Sequence, residues 1–266
     1  MAALPRSLVL IGAGKMGGAM LEGWLKGGLE GRGVTILDPF AGPEIAALSE
    51  RHGLRVNPDA ADVAEPEVLV LAVKPQMLDS AAATVGALAG PGTLVVSVIA
   101  GKTIADLKER APRAAAFVRA MPNTPAAVGR GITGAAASPA VTAEQRAVAD
   151  TLLRAIGRLE WVGTEDLIDA VTAVSGSGPA YVFYLAECLA EAGVAAGLPA
   201  DVAARLARAT VEGAGELMYQ DSATSPEQLR VNVTSPGGTT AAALSVLMAG
   251  DGLAPLMEKA VAAARR

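Results

Sequence analysis

The feature that most constrains this chain is a short apolar run that stops on glycine. Ser7-Leu8-Val9-Leu10-Ile11 carries no charge and leads directly into Gly12-Ala13-Gly14-Lys15-Met16-Gly17, after which residues 19–26 have a helical pattern. An unbroken apolar run of this length suits a strand buried on both faces. Gly-x-Gly-x-x-Gly between such a strand and a helix gives each glycine a physical task. Gly12 allows the tight turn, Gly14 lets backbone approach a pyrophosphate, and Gly17 lets the helix pack close to the strand. The phosphates then rest on free N–H groups at the helix start. Glycine is common here, 30 of 266 residues, so placement rather than the bare motif carries the reading. Gly12, Ala13, Gly14, Lys15, Met16 and Gly17 are therefore the expected phosphate-binding turn of a dinucleotide site.

The alternation continues through the first half. Further buried strands are expected at 34–37, 68–73 and 93–99, weaker ones at 115–118 and 132–136, and a second helix at 44–51. Strand and helix in turn mean a parallel sheet with helices on both faces. From about residue 165 no convincing strand appears. Ala-rich helical segments at 166–173, 180–196, 201–219, 226–231 and 240–249 are separated by Gly, Pro, Asp and Ser. The expected fold class is α/β, a doubly wound parallel sheet over residues 1–163 followed by an all-α domain over 164–266. The segment 180–196 holds only Glu187 and Glu191 as charges. A helix apolar nearly all round is normally enclosed, in a core or between subunits.

Composition narrows the function. With a net charge of −5 and no Lys/Arg block, nucleic acid is not an expected partner. Aromatics are only 3%, so small and aliphatic side chains must build the core, with close helix–helix packing. Cys188 and His52 are single examples of their kinds, so no disulfide and no Cys-rich metal site is expected. The start, Met1 to Arg6, does not read as a signal peptide, and 180–196 is too short and too interrupted to span a bilayer. The expected location is the cytoplasm, with no membrane partner.

Other segments admit a ligand-binding and a plainer reading. Asp38 ends the second strand about 20 residues beyond Gly17, where an acid accepts the ribose 2′-OH of NAD and repels a 2′-phosphate. It also opens an Asp-Pro turn. Ala72-Val73-Lys74-Pro75 and Val98-Ile99-Ala100 follow apolar strands, at the edge where open α/β sheets bind ligands. Met121-Pro122-Asn123-Thr124-Pro125 must be a rigid extended loop, and a domain-crossing connection already explains much of it. Ser235-Pro236-Gly237-Gly238-Thr239-Thr240 sets bare N–H groups and two hydroxyls at a helix start, suiting a small carboxylate or serving as an ordinary cap. Ser175-Gly176-Ser177-Gly178-Pro179 is a second such cap.

Elimination then points to a substrate type. His52, between the second helix and the third strand, reads as an exposed helix end away from the ligand edge. After Lys108 the only lysine is Lys259, in the final helix. Dehydrogenases that rely on an acid–base His or on a lysine in a helical second domain therefore fit poorly. A cyclic imine needs neither: it is already basic and, once protonated, accepts hydride with orientation and a hydroxyl hydrogen bond.

These residues resemble the pyrroline-5-carboxylate reductase family. The segments that carry the likeness are 11–17, 71–76 (LAVKPQ), 121–125 (MPNTP), 175–181 (SGSGPAY) and 233–240 (VTSPGGTT), in order along essentially the whole chain. The resemblance implies a Rossmann domain followed by a helical dimerisation domain. It implies a homodimer, which assembles further into a decamer of dimers in such proteins. The implied reaction is reduction of L-1-pyrroline-5-carboxylate to L-proline with NADPH or NADH, the last step of proline biosynthesis. Carried over by position, residues 12–17 would hold the pyrophosphate, and Ala72, Val73, Lys74, Pro75, Val98, Ile99 and Ala100 would line the path from adenosine to nicotinamide. Val233, Ser235, Pro236, Gly237, Gly238 and Thr239 would bind the substrate, its carboxylate on backbone N–H groups. Thr240 matches the family's threonine that hydrogen-bonds the ring nitrogen and is the expected catalytic contact. The active site is then expected close to a subunit interface.

Two positions depart from the family pattern. Many members carry Ser or an Asn-Arg pair after the second strand, favouring NADPH, whereas Asp38 here favours NADH. An Asn often present before the fourth strand is replaced by Asp59. The competing readings are a β-hydroxyacid-type dehydrogenase, against which the missing lysine counts, and a non-catalytic dinucleotide sensor of the same architecture.

Overall fold

The computed structural model describes residues 4–265; residues 1–3, part of the start discussed above, and residue 266 lie outside the described residues. The chain divides into two compact units, 1–176 and 177–266. That division falls after the short helix Leu167–Val171, later than the 163/164 boundary expected from the sequence.

The first unit is built on eight strands: β1 (Leu8–Ile11), β2 (Val34–Leu37), β3 (Arg55–Val56), β4 (Val68–Leu71), β5 (Leu94–Ser97), β6 (Ala116–Met121), β7 (Gly131–Ala137) and β8 (Gly157–Trp161). Their order in the single sheet is β3-β2-β1-β4-β5-β6-β7-β8. The sequence pattern anticipated β1, β2, β4 and β5 closely, and β8 not at all. β1 to β6 run parallel, and the order reverses between β1 and β4, the crevice where such sheets bind ligands.

The sheet is parallel as expected except at one pair near its edge. β7 pairs antiparallel with β6, and β8 pairs parallel with β7. The physical reason is connection length. Residues 122–130 are too few for a crossover helix, so the chain returns alongside β6. The 121–125 segment thus joins two strands of one sheet and is not a connection between domains.

Side-chain alternation builds two cores, one on each face of the sheet. Leu8, Leu10, Ile36, Val70 and Val96 face α1 (Lys15–Lys26), α2 (Pro43–His52) and α5 (Ala143–Arg154). Val9, Ile11, Leu69, Leu71, Val95 and Phe117 face α3 (Leu78–Leu88) and α4 (Ile104–Arg110). Trp24 of α1 is buried, and its indole N–H donates to the Leu152 carbonyl at 2.8 Å. Gly23 lies so close to α5 that an added Cβ would stand 2.6 Å from the Ala155 carbonyl oxygen. α4 and α5 begin with reciprocal caps, Thr103 with Asp106 and Thr142 with Gln145. α6 (Leu167–Val171) packs on β6 and β7 and passes into a π-helical turn, Thr172–Gly176.

Among its described residues the second unit has helices and no strand: α7 (Gly178–Ala195), α8 (Ala200–Gln220), α9 (Pro226–Asn232), α10 (Thr239–Leu247) and α11 (Leu253–Ala264). α7 and α8 approach closely at Gly193 and Ala203. Ala203 and Ala207 of α8 are the buried residues of these helices; α7, α9, α10 and α11 have none. Among the described residues no helix is long and apolar enough to cross a membrane.

Candidate functional site

The glycine turn is shaped by close approach. Gly12 has φ +92°, and a Cβ there would lie 2.8 Å from the backbone of Ala72 and Val73. Gly17 is tighter still: an added Cβ would meet the Gly12 carbonyl oxygen at 2.1 Å. Neither position accepts a side chain without the turn moving. Gly14 differs, with open space around it, and it takes the N-cap position of α1. No side chain caps α1, and no acidic residue lies in its first turn. Lys15 is exposed and Met16 half-buried, while Ala13 is buried. The residues present fit a pyrophosphate: free N–H groups, a positive helix end and clear space at Gly14.

Backbone hydrogen bonds align the neighbouring strand ends. Gly12 N–H donates to Leu37 O at 3.0 Å, Ala72 N–H to Ile11 O at 2.8 Å, and Val98 N–H to Leu71 O at 3.0 Å. Lys74 precedes a 3-10 turn at Pro75–Met77, and both Lys74 and Pro75 are exposed. Ile99 is buried and Ala100 exposed. The cofactor candidates from the glycine turn and from the ends of β2, β4 and β5 are thus brought to one sheet edge.

Asp38 is more than a turn opener. Its Oδ2 accepts from Ala13 N–H at 2.7 Å and its Oδ1 from Phe40 N–H at 2.8 Å. One carboxylate therefore pins the glycine turn to the segment after β2. Sequence reading missed the partner that holds Asp38 in place. Asn57 Oδ1 accepts from Asp38 N–H and Asn57 Nδ2 donates to Asp38 O, both at 2.8 Å. Asn57 has φ +48°, a left-handed position that asparagine tolerates, and Asn-Pro after a strand was the available signal. Asp59 has a local task, accepting from Ala61 N–H at 3.1 Å. His52 ends α2 half-buried rather than exposed.

Two further residues organise the end of the sheet. Arg119 of β6 is buried and pairs with Glu165 Oε1 at 3.3 Å and Asp169 Oδ1 at 2.9 Å. Glu165 Oε1 also accepts from Ile104 N–H at 2.6 Å, at the start of α4. Asn123 accepts from Ile132 N–H at 2.9 Å and donates to Ser175 O at 3.1 Å, tying the 121–125 loop to the π-helical turn. An arginine inside the apolar run 116–121 was the sequence signal for a buried ion pair.

In the helical unit, Gly237 has φ +71° and Gly238 forms the N-cap of α10. Thr239 and Thr240 are its first two residues. Neither hydroxyl caps the helix, and no acid lies in the first turn. Gly238 rather than a threonine takes the cap position, and its N–H donates to Ser235 O at 3.0 Å, closing a turn in front of the helix. Ser235, Pro236, Gly237, Thr239 and Thr240 are exposed, as is Val233. Ser177, at the N-cap of α7, likewise makes no side-chain cap bond. Among the described residues no group of three or more His, Cys, Asp or Glu could hold a metal ion.

Comparison with known proteins matches both units. Residues 165–266 match the family described as pyrroline-5-carboxylate reductase dimerisation, and residues 7–101 the family described as NADP oxidoreductase coenzyme F420-dependent. The chain is similar to the pyrroline-5-carboxylate reductase of Synechocystis, 45% identical over 82% of this chain and 81% of that one. It is 40% identical to the enzyme of Glycine max over 98% and 94%. Among solved structures, a pyrroline-5-carboxylate reductase from Coxiella burnetii aligns with a TM-score of 0.87 at 34% identity, over 97% of this chain and 96% of that one. The Plasmodium falciparum pyrroline carboxylate reductase, solved with NADP bound, aligns with a TM-score of 0.76 at 27% identity, over 97% and 95%.

Proposed function

The chain belongs to the pyrroline-5-carboxylate reductase family, and from that premise we propose how its residues divide the work of reducing L-1-pyrroline-5-carboxylate to L-proline with a nicotinamide dinucleotide. The single observation that carries the reading is the glycine turn, whose Gly12 and Gly17 admit no side chain while Gly14 faces open space. The reduced nicotinamide, when bound, supplies hydride for the imine carbon. Residues 12–17 hold the pyrophosphate, and Ala72, Val73, Lys74, Pro75, Val98, Ile99 and Ala100 line the rest of the cofactor's path. Val233 and Ser235 to Thr239 bind the substrate. Its carboxylate lies on the free N–H groups at the start of α10, where the helix dipole favours negative charge. Thr240 hydrogen-bonds the ring nitrogen, fixing the ring and the site at which the extra proton resides. This division rests on the uncapped α10 start and on the family motif at 233–240.

Asp38 favours NADH. Its carboxylate already receives two backbone N–H groups, so it is fixed in place, and its remaining lone pairs accept a ribose hydroxyl while its charge repels a 2′-phosphate. The exposed apolar helices of the second unit support a homodimer, and a decamer of dimers is the larger assembly that the family pattern implies. No observation favours the dehydrogenase or sensor reading.

The test is loss of reduced-nicotinamide absorbance when pyrroline-5-carboxylate meets the pure protein, with NADH and NADPH run in parallel. Faster oxidation of NADH is expected. No oxidation with either cofactor in folded protein overturns the reductase reading. Thr240→Ala should lower turnover by roughly 10- to 1000-fold, the scale of one oriented donor, while dinucleotide affinity holds. Asp38→Ser should raise the NADPH-to-NADH efficiency ratio; an unchanged ratio removes Asp38 from cofactor choice.

A further inference from the structure

We propose that Phe40 is the stacking platform for the adenine ring of the dinucleotide. This rests on the reading that residues 12–17 and Asp38 hold the pyrophosphate and ribose. Phe40 is 82% exposed, the most exposed large apolar side chain among the described residues of the sheet unit, whereas Phe117 of the same unit is fully buried. A lone exposed apolar residue is ordinary on a protein surface. What sets Phe40 apart is how firmly its backbone is held and where.

Ala41 N–H donates to Asp38 O at 3.2 Å, closing a turn over Pro39 and Phe40. Asp38 Oδ1 accepts from Phe40 N–H inside that turn, and Pro39 fixes its first central dihedral. The other oxygen of the same carboxylate accepts from Ala13 N–H in the glycine turn. Asn57 clamps Asp38 from behind through two more hydrogen bonds. The backbone that carries the Phe40 ring is therefore fixed with respect to the phosphate-binding turn while the ring itself stands in water.

The order of these residues matches the order of groups in the ligand. Pyrophosphate at the start of α1 leads to a ribose whose 2′-hydroxyl reaches Asp38. The base is bonded to C1′, the carbon next to the one bearing that hydroxyl. It must therefore leave the ribose close to Asp38, where the turn presents Phe40. A rigid aromatic face offered there binds a purine by stacking, with no hydrogen bond required, and its backbone is already ordered before the ligand arrives. Stacking is indifferent to a 2′-phosphate, so Phe40 serves NADH and NADPH alike and leaves discrimination to Asp38.

The experiment is calorimetric titration of full-length wild type, Phe40→Ala and Phe40→Trp with NADH and with ADP-ribose, which keeps the adenosine, pyrophosphate and second ribose and lacks only the nicotinamide. Phe40→Ala should weaken both ligands by the same factor, on the order of tenfold. Phe40→Trp should retain wild-type affinity and gain an emission that ADP-ribose quenches, a signal that a structural role would not produce. Because the ring is exposed, all three ligand-free proteins should melt together. Equal affinity of wild type and Phe40→Ala for ADP-ribose overturns the proposal. So does a loss in Phe40→Ala that comes with a lower melting temperature and is not restored by tryptophan. Failure of wild type to bind either ligand overturns the dinucleotide reading itself, a result distinct from failure of the stacking assignment alone.

Discussion

The two units differ in how they dispose of apolar surface. The sheet unit buries its apolar residues in two layers, with Leu10, Ile36, Val70 and Phe117 fully enclosed. In the helical unit the largest apolar side chains remain in solvent: Phe183 of α7 is 62% exposed, Leu217 of α8 63% and Val246 of α10 70%. Large apolar side chains left exposed on several helices mark an interface rather than a finished core. One region is thus complete as a single chain, and the other is half of something. That agrees with the family description of residues 165–266 as a dimerisation region. It also assigns the two tasks of the enzyme differently. The dinucleotide site belongs to the region that needs no partner, and the proposed substrate site to the region that does.

The largest effect is expected where the sheet unit has no slack. Gly12→Val should abolish measurable dinucleotide binding and cost about 4 kcal/mol or more, since it combines a left-handed backbone with a clash against Ala72. Titration with NADH and a thermal melt check it. Next comes the opposite half of the comparison. Phe183→Glu should weaken self-association by roughly 1000-fold, because each of the two copies forfeits about 2 kcal/mol of aromatic burial. Sedimentation reads this, while NADH affinity should stay near wild type. A Phe183→Glu protein that remains as tightly associated as wild type would break the comparison at that helix.

Smaller effects sharpen the picture within the sheet unit. Glu165→Ala leaves the buried Arg119 guanidinium with one partner and the Ile104 N–H with none, and should cost about 2–3 kcal/mol in chemical denaturation. Thr103→Ala removes the α4 cap and should cost about 1 kcal/mol. That contribution depends on pH through Asp106. Its carboxyl is held below its ordinary 3.8 by hydrogen bonds from the Thr103 backbone N–H and hydroxyl. A depressed carboxyl stabilises the fold in full above 3.8 and ceases to do so as pH falls through the folded value. The gap between wild type and Thr103→Ala should therefore narrow below pH 3.8.

How much was legible in the sequence follows the same division. Strands buried on both faces announce themselves as apolar runs, so β1, β2, β4 and β5 could be read directly. β8, with Arg158 and Glu160 between its apolar residues, sits at the sheet edge and offers no such run. The antiparallel turn after β6 depended on connection length, a signal that was present at 122–130 but outweighed by the alternation rule. The glycine turn was legible because steric need leaves glycine no substitute. Asn57 and Phe40 were not, since their roles come from hydrogen bonds between segments 19 residues apart or from a ring left in water. The threonines at 239 and 240 could not be separated from a cap residue by sequence, because only the backbone shows that Gly238 takes that position.

The most direct test of the account is a dilution series on the full-length protein. NADH binding, by fluorescence, and pyrroline-5-carboxylate turnover per subunit are followed together as the dimer dissociates, with association monitored by sedimentation. Turnover should fall as dimers separate while NADH affinity stays constant, because only the helical region depends on a partner copy. Full turnover by a monomer would contradict it, as would NADH binding lost in step with association.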